Sequence, residues 1–538
     1  MSGGSGRPGG IPAAWSTRHP TVWPGRRFGR LFDLGGWSRA LLCALLVLGA
    51  APASATDEGP AVEATRQAIE RVDTWNDRLA AVIAVNPSAM EEAARLDRER
   101  AAGQVRGRLH GIPVLIKDNI ETREQVTTAG SLALANNRTG RDSAVVARLR
   151  ENGLVILGKA NLSEWANFRS ERSSSGWSAV GGQARNPYDT LRSPCGSSSG
   201  SAVAVAAGMV PLAVGTETNG SVVCPASVNG IVGIKPTVGL VSRRGVVPIS
   251  HSQDTPGPMA TNVRDAAWLL NAMAGPDPED PTGPAPAGVF ERDYSRSLKA
   301  DGLRGKRVGV VRSLAGFHEG VDANLERAVD DLAAAGAEVV DNLEFPEAAE
   351  DFEDAAYDLL LMEFKHDLNT YLAGISEPAG ERTLQSLIEF NRQHVEQEMK
   401  WFRQEIFVKA QEADTLESDH YRETLARVQD FSRAAIDNLL EEHQLDLLVA
   451  PTDAPAWSID LIDGDHFLGG SSSMPARAGY PHITVPMGFV HGLPVGLSFF
   501  STAWSEPVLI EAAYGYEQAT GRARPPQGFG DWRPAVSE

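Results

Sequence analysis

Residues 194–237 concentrate the side chains most able to do chemistry: two loops of glycine, serine and threonine, 196–201 and 216–221, set around a short run of alanine and valine. Small residues let backbone approach a ligand closely, and glycine reaches the dihedrals that aim several N–H groups at one point. The pattern reads as a catalytic centre built from serine hydroxyls and backbone amides. Gly196-Ser197-Ser198-Ser199-Gly200 also satisfies the G-x-S-x-G nucleophile elbow, centred on Ser198. An elbow needs an apolar strand running into its first glycine, whereas residues 188–195 read Tyr-Asp-Thr-Leu-Arg-Ser-Pro-Cys, so the match is a decoy. A phosphate cradle would need G-x-x-x-x-G-K-[ST], which is lacking, and the chain has neither an H-E-x-x-H pair nor a zinc-like Cys/His spacing. No metal and no organic cofactor are expected.

The elements that must position these loops read as an α/β layer. Residues 112–116 form a fully buried strand with Lys117 at its end, and residues 154–159 a second one after a helix at 144–150. A lysine at the edge of a core is costly unless paired or neutral; on that strand alone, a lysine that reaches solvent or pairs with Asp118 is the simpler reading. A small-residue helix at 201–208, strands at 211–215 and 231–234, and a strand–helix–strand unit over 308–340 continue the alternation. Helices are expected over 61–86, 89–102 and most of 351–442, with amphipathic stretches at 352–372 and 384–410. A Pro/Asp/Gly-rich linker covers 275–287, strands return at 445–450, 483–489 and 497–500, and a helix at 506–520 closes the chain.

A chain of 538 residues, 42% hydrophobic and 22% charged, is globular. Its first 55 residues differ in kind: a basic Gly/Pro-rich opening, an apolar run at 40–50, then Ala53-Ser54-Ala55. The run is too short to span a bilayer, and the small-x-small triplet predicts a secretory signal cleaved near Ala55, a retained anchor or a later start being the alternatives. Six arginines and one aspartate leave with it, taking the formal charge from −19 to −24. Such a surface repels phosphate backbones and argues against a nucleic-acid partner. Cys43 also leaves, and whether Cys195 and Cys224 bridge is a question of geometry that spacing leaves open.

Lys117, Ser197 and Ser221, taken together, resemble the catalytic residues of the amidase signature family. The resemblance covers most of the mature chain. It runs from about residue 61 through 237, continues in Gly245-Val246-Val247-Pro248 and Asp254-Thr255-Pro256-Gly257-Pro258-Met259, and returns at Ala478-Gly479-Tyr480-Pro481 and Gly492-Leu493-Pro494-Val495-Gly496. It implies a single large α/β domain, residues 56–538, with a mixed central sheet flanked by helices on both faces. The motif core would be 107–260 and the variable helical region 279–442. It implies a Ser–cis-Ser–Lys triad: Ser221 the nucleophile, Ser197 the bridging serine after a cis Gly196–Ser197 peptide, Lys117 the general base. The backbone N–H groups of Thr218, Asn219 and Gly220, with Ser221 itself, would form the oxyanion hole. A serine needs a base to take its proton, and lysine serves only when neutral, so its pKa must fall from near 10.4 to about 7, a cost of roughly 4–5 kcal/mol that burial must supply.

Two departures from the family pattern stand out. Where members often show G-G-S-S-G-G-S and D-x-G-G-S-I-R, this chain has Cys195-Gly196-Ser197-Ser198-Ser199-Gly200-Ser201 and Glu217-Thr218-Asn219-Gly220-Ser221-Val222-Val223. The second variant is similar to that of bacterial peptide amidases, which remove the C-terminal amide of peptides and release ammonia. The expected enzyme is therefore an exported amidase, periplasmic or extracellular, monomeric or a simple homo-oligomer, free of the membrane after cleavage. Small aliphatic or aryl amides are the next substrate class. A glutamine-hydrolysing amidotransferase-type component that works with a tRNA-bound partner is the remaining alternative, and export argues against it. The helix at 359–372 is expected to line the substrate entrance.

Overall fold

The computed structural model describes residues 59–280, 285–290, 292–375 and 382–529. The predicted leader over 1–55, Cys43 included, lies outside the described residues. Thirteen strands occur among the described residues: β1 Val82–Val85, β2 Pro113–Lys117, β3 Val155–Ala160, β4 Trp177–Ser178, β5 Gly182–Gln183, β6 Leu212–Glu217, β7 Val232–Lys235, β8 Thr255–Ala260, β9 Arg307–Val311, β10 Glu338–Leu343, β11 Leu447–Pro451, β12 His482–Val490 and β13 Leu493–Phe500. Strands β4 and β5 form a small hairpin, and the other eleven make one sheet in the order β1-β3-β2-β6-β8-β7-β12-β13-β11-β9-β10. The sheet is mixed: β2 is parallel to both β3 and β6, while β6 and β8, and β12 and β13, run antiparallel.

Period-two alternation lets each central strand feed two cores. Val114, Ile116, Ile156, Leu212 and Val214 enter the core on one face, beneath helices Ala144–Glu151, Val263–Met273, Glu319–Ala334 and Glu506–Thr520. Leu115, Val155, Leu157 and Ala213 enter the opposite core, beneath Pro60–Leu79, Ala89–Ala101 and Ser199–Ala206. The expected α/β architecture with helices on both faces is what forms. Parallel β2 and β6 also bring Lys117 and Glu217 to the same carboxyl edge of the sheet, where α/β folds place their sites.

Three elements depart from the periodicity reading. The predicted helix over 61–86 stops at Leu79, with Ala80 left-handed at φ 48°, and residues 82–85 become edge strand β1. Asn76 causes the switch: its side chain donates to the Val82 carbonyl and accepts from the Val82 N–H, both at 2.8 Å, so the chain turns back. The predicted 384–410 helix divides into Leu384–Gln393, Val395–Glu398 and Glu405–Glu412. Buried Arg169 donates to the carbonyls of Glu398, Phe402 and Arg403, drawing them out of helical bonding. Strand β8 reads Thr-Pro-Gly-Pro-Met-Ala, and two prolines would ordinarily exclude a central strand. Here β7 pairs only with Met259 and Ala260, so Pro256 and Pro258 fall on the half that β7 leaves unpaired.

Candidate active site

Lys117 shares strand parity with Leu115 and therefore faces the layer that carries helix Ser199–Ala206. It is fully buried. Its Nζ lies 2.7 Å from Ser197 Oγ, 2.8 Å from Thr216 Oγ1 and 3.1 Å from the Thr216 carbonyl. Asp118 does not pair with it; that carboxylate pairs with buried Lys159 at 3.2 Å, which corrects the simpler reading of the strand. Burial pulls the Lys117 pKa down to about 7, partly opposed by the carboxylates of Asp254 and Glu217. A neutral amine keeps two N–H donors and one lone pair. The Thr216 carbonyl can only accept, and Thr216 Oγ1, which also accepts from Asn119 Nδ2 at 3.0 Å, takes the other N–H. The lone pair is then left for the hydroxyl proton of Ser197.

Ser197 is fully buried and follows a cis peptide at Gly196. A side chain at residue 196 would collide with Ser163 Oγ, which explains the glycine. The decoy serine is accounted for: Ser198 Oγ donates to the Thr216 carbonyl at 3.0 Å and accepts from the Thr216 N–H at 3.1 Å, tying the first loop to the end of β6. Ser199 Oγ donates to the Cys195 carbonyl at 2.7 Å.

The second loop carries Ser221. Glu217 accepts from the N–H groups of Val222 and Val223 at 2.7 and 3.0 Å, fixing the turn into helix Val223–Val228. Among the described residues, the N–H groups of Thr218, Asn219, Gly220 and Ser221 donate to no protein acceptor. Gly220 holds φ +80°, which lets the loop present these groups together. Ser198 N donates to the Ser221 carbonyl at 3.1 Å, so the two loops lock to each other. Cys195 and Cys224 are bridged by a disulfide, which settles the pairing that spacing left open.

Ser221, 9% exposed, lines a cavity of about 270 Å³ together with Gly196, Thr218 and Asn219. One wall is Phe168, Ile249 and Leu360, the last from helix Phe352–Ala373, in line with the expected entrance; the other is Trp457, Asp465 and Phe467. Among the described residues, no lysine or arginine lines it. A separate cavity of about 440 Å³ touches the site through Asp254, whose Oδ1 accepts from Thr218 Oγ1 at 2.5 Å. Burial raises the Asp254 pKa to about 6. The sequence alone assigns no role to Thr216, Asp254, Trp457, Asp465 or Phe467. Asp254 lies inside one of the family-like motifs and Thr216 opens the second Gly/Ser loop; nothing in pattern or period marks the other three.

An eleven-stranded mixed sheet with a buried lysine–serine pair at its carboxyl edge defines an amide hydrolase of the amidase signature class. The amidase family model matches residues 63–510, and the chain belongs to that family. The chain is similar to the solved native peptide amidase of Stenotrophomonas maltophilia, with 50% identity and a TM-score of 0.82 over 87% of this chain and 95% of that one. An Arabidopsis thaliana protein described as "Probable amidase" is 42% identical over 85% of this chain and 86% of its own. A glutamyl-tRNA(Gln) amidotransferase component from Symbiobacterium thermophilum is 36% identical over 86% and 93% respectively.

Proposed function

We propose that this amidase is a serine hydrolase that removes the C-terminal amide of peptides and releases ammonia through an acyl-enzyme on Ser221. The observation that carries the reading is a neutral-poised Lys117 whose Nζ meets Ser197 Oγ at 2.7 Å beside the cavity that holds Ser221. Ser221 Oγ attacks the amide carbon as its proton passes to Ser197 and the Ser197 proton passes to Lys117. The oxyanion is received by the N–H groups of residues 218–221. Collapse breaks the C–N bond, the leaving nitrogen takes the relayed proton and departs as ammonia, and water deacylates the ester by the reverse relay.

The substrate assignment is supported by the 50% identity to a peptide amidase and by the charge of the cavity. Among the described lining residues, Asp465 is the one acidic side chain, and none is basic. The α-carboxylate of free glutamine would find no cation there and would meet a carboxylate, which disfavours a glutaminase role like that of an amidotransferase. A neutral peptide amide meets no such penalty. Export remains part of the proposal, and a disulfide beside the active site suits an oxidising compartment.

Ammonia release from amidated peptides, small amides and glutamine, with Ser221→Ala as control, tests this reading. Amidated peptides are expected to be the best substrates and Ser221→Ala inactive. A preference for glutamine, or full activity in Ser221→Ala, contradicts it. N-terminal sequencing of the exported protein is expected to begin near Thr56; an intact Met1 terminus contradicts the leader.

A further inference from the structure

Among the described residues, five large apolar side chains stand strongly exposed: Val105, Leu191, Ile462, Phe467 and Leu468. Four of them lie on two segments that are hydrogen-bonded to each other. Ile462, Phe467 and Leu468 lie on the loop 454–470, exposed by 67, 53 and 46%. Leu191, 73% exposed, sits on the segment this loop grips: Ile459 N donates to the Leu191 carbonyl at 3.0 Å and Ser193 N to the Trp457 carbonyl at 2.7 Å. Scattered apolar surface residues need no explanation, but a gathered set of them does.

The loop is anchored. Trp457 is buried against Cys195, Cys224, Val228 and Ala456, and its Nε1 donates to Asp465 Oδ1 at 2.9 Å. Ser175 N donates to both oxygens of the same carboxylate at 3.0 and 3.1 Å. Phe467 belongs to both environments: more than half exposed, it also lines the cavity of Ser221 and meets the Trp457 ring edge-on, centroids 6.0 Å apart. It is shared between the cavity and the exterior.

The geometry points to an extended substrate rim: Trp457 and Phe467 receive the side chain of the amidated residue, while Leu191, Ile462 and Leu468 receive apolar residues that precede it. This rests on the peptide-amide reading and names the substrate within it, a peptide amide with an apolar C-terminal segment. The charge of the chain, −19 overall, disfavours an anionic lipid surface as the occupant.

The test compares kcat/KM for acetyl-Leu-Leu-Phe-amide and acetyl-Phe-amide in the wild type, in Ile462→Ser/Leu468→Ser and in Leu191→Ser, each checked by circular dichroism and thermal melting. The longer amide is expected to be favoured at least tenfold in the wild type, since each aliphatic side chain moved out of water is worth roughly that factor. In the variants the advantage is expected to fall to about twofold. An undiminished advantage overturns the rim. So does a wild-type dimer, or binding to phosphatidylcholine vesicles, that the variants lose while the advantage persists, because the patch then serves self-association or a membrane. Hydrolysis of both peptide amides at equal efficiency defeats the rim alone; activity on small amides with none on either peptide defeats the peptide-amide reading and the rim with it.

Discussion

The disulfide between Cys195 and Cys224 has one end two residues before Ser197 and the other three residues after Ser221, so a single covalent bond closes the segment that contains both serines. The Cα atoms stand 6.1 Å apart, and Trp457 packs against the bridge. Ser197 and Ser221 are thereby held in one frame, and in the proposed mechanism, where they are relay and nucleophile, small displacements there are expensive for catalysis.

Opening this bridge is expected to cost both stability and rate. The bond spans 29 residues, for which chain entropy gives about 3–4 kcal/mol as an upper figure. Cys224→Ser is expected to melt at lower temperature and to lose about tenfold to a hundredfold in kcat with a smaller change in KM. Thermal melts and steady-state kinetics, repeated on the wild type after reduction, check this. Unchanged kcat after complete reduction contradicts the framing role.

The pH profile follows from Lys117. In the proposed mechanism its amine serves as the base, which requires it unprotonated, and burial brings its pKa down to about 7. kcat/KM is expected to rise through about pH 7 and then level. Stability takes the same sign: the folded pKa is below the ordinary 10.5, so the unfolded chain binds more protons between 7 and 10.5 and stability gains with pH across that window. In Lys117→Met that share of the pH dependence is expected to vanish and activity to drop by roughly a thousandfold or more. Matched melts and rate profiles of the two proteins measure both effects.

Asp254 tunes the Lys117 amine. Its charge raises the Lys117 pKa, while its oxygens hold Thr218 Oγ1 and the N–H groups of Ile249 and Ser250. Asp254→Asn is expected to move the acidic limb of the kcat/KM profile to lower pH and to reduce the plateau as Thr218 loosens. A limb that moves to higher pH contradicts the Coulombic assignment.

Thr216 orients the amine. Thr216→Val removes the hydroxyl that accepts from Lys117 at 2.8 Å and from Asn119 at 3.0 Å. A loss of about tenfold to a hundredfold in kcat at nearly constant KM is expected, with Thr216→Ser restoring most of it. Equal loss in both variants would assign Thr216 to packing instead.

Much of this site could be read from the sequence because the informative residues lie in local patterns. Apolar runs marked β2 and β3, and Lys117, Ser197 and Ser221 fell at the family's three motif positions even though the loops around them depart from its pattern. The failures share a physical cause, which is that specific side-chain bonds or strand neighbours, invisible to periodicity, decide the local outcome. Asn76 ends a helix whose apolar spacing continues through Val82 and Ile83. Arg169 breaks helices more than two hundred residues downstream. Strand β8 carries two prolines that its neighbours happen to tolerate. Thr216 and Asp465 acquire meaning only once the sheet and the 454–470 loop bring them to Lys117 and Trp457. No period could announce them.

In the proposed mechanism Ser221, and not the elbow-like Ser198, carries the acyl group. Labelling with a fluorophosphonate, followed by intact mass measurement and fragment mapping, addresses it directly. One adduct is predicted, located on Ser221 and absent in Ser221→Ala. An adduct on Ser198 or Ser197, or undiminished labelling of Ser221→Ala, contradicts the account.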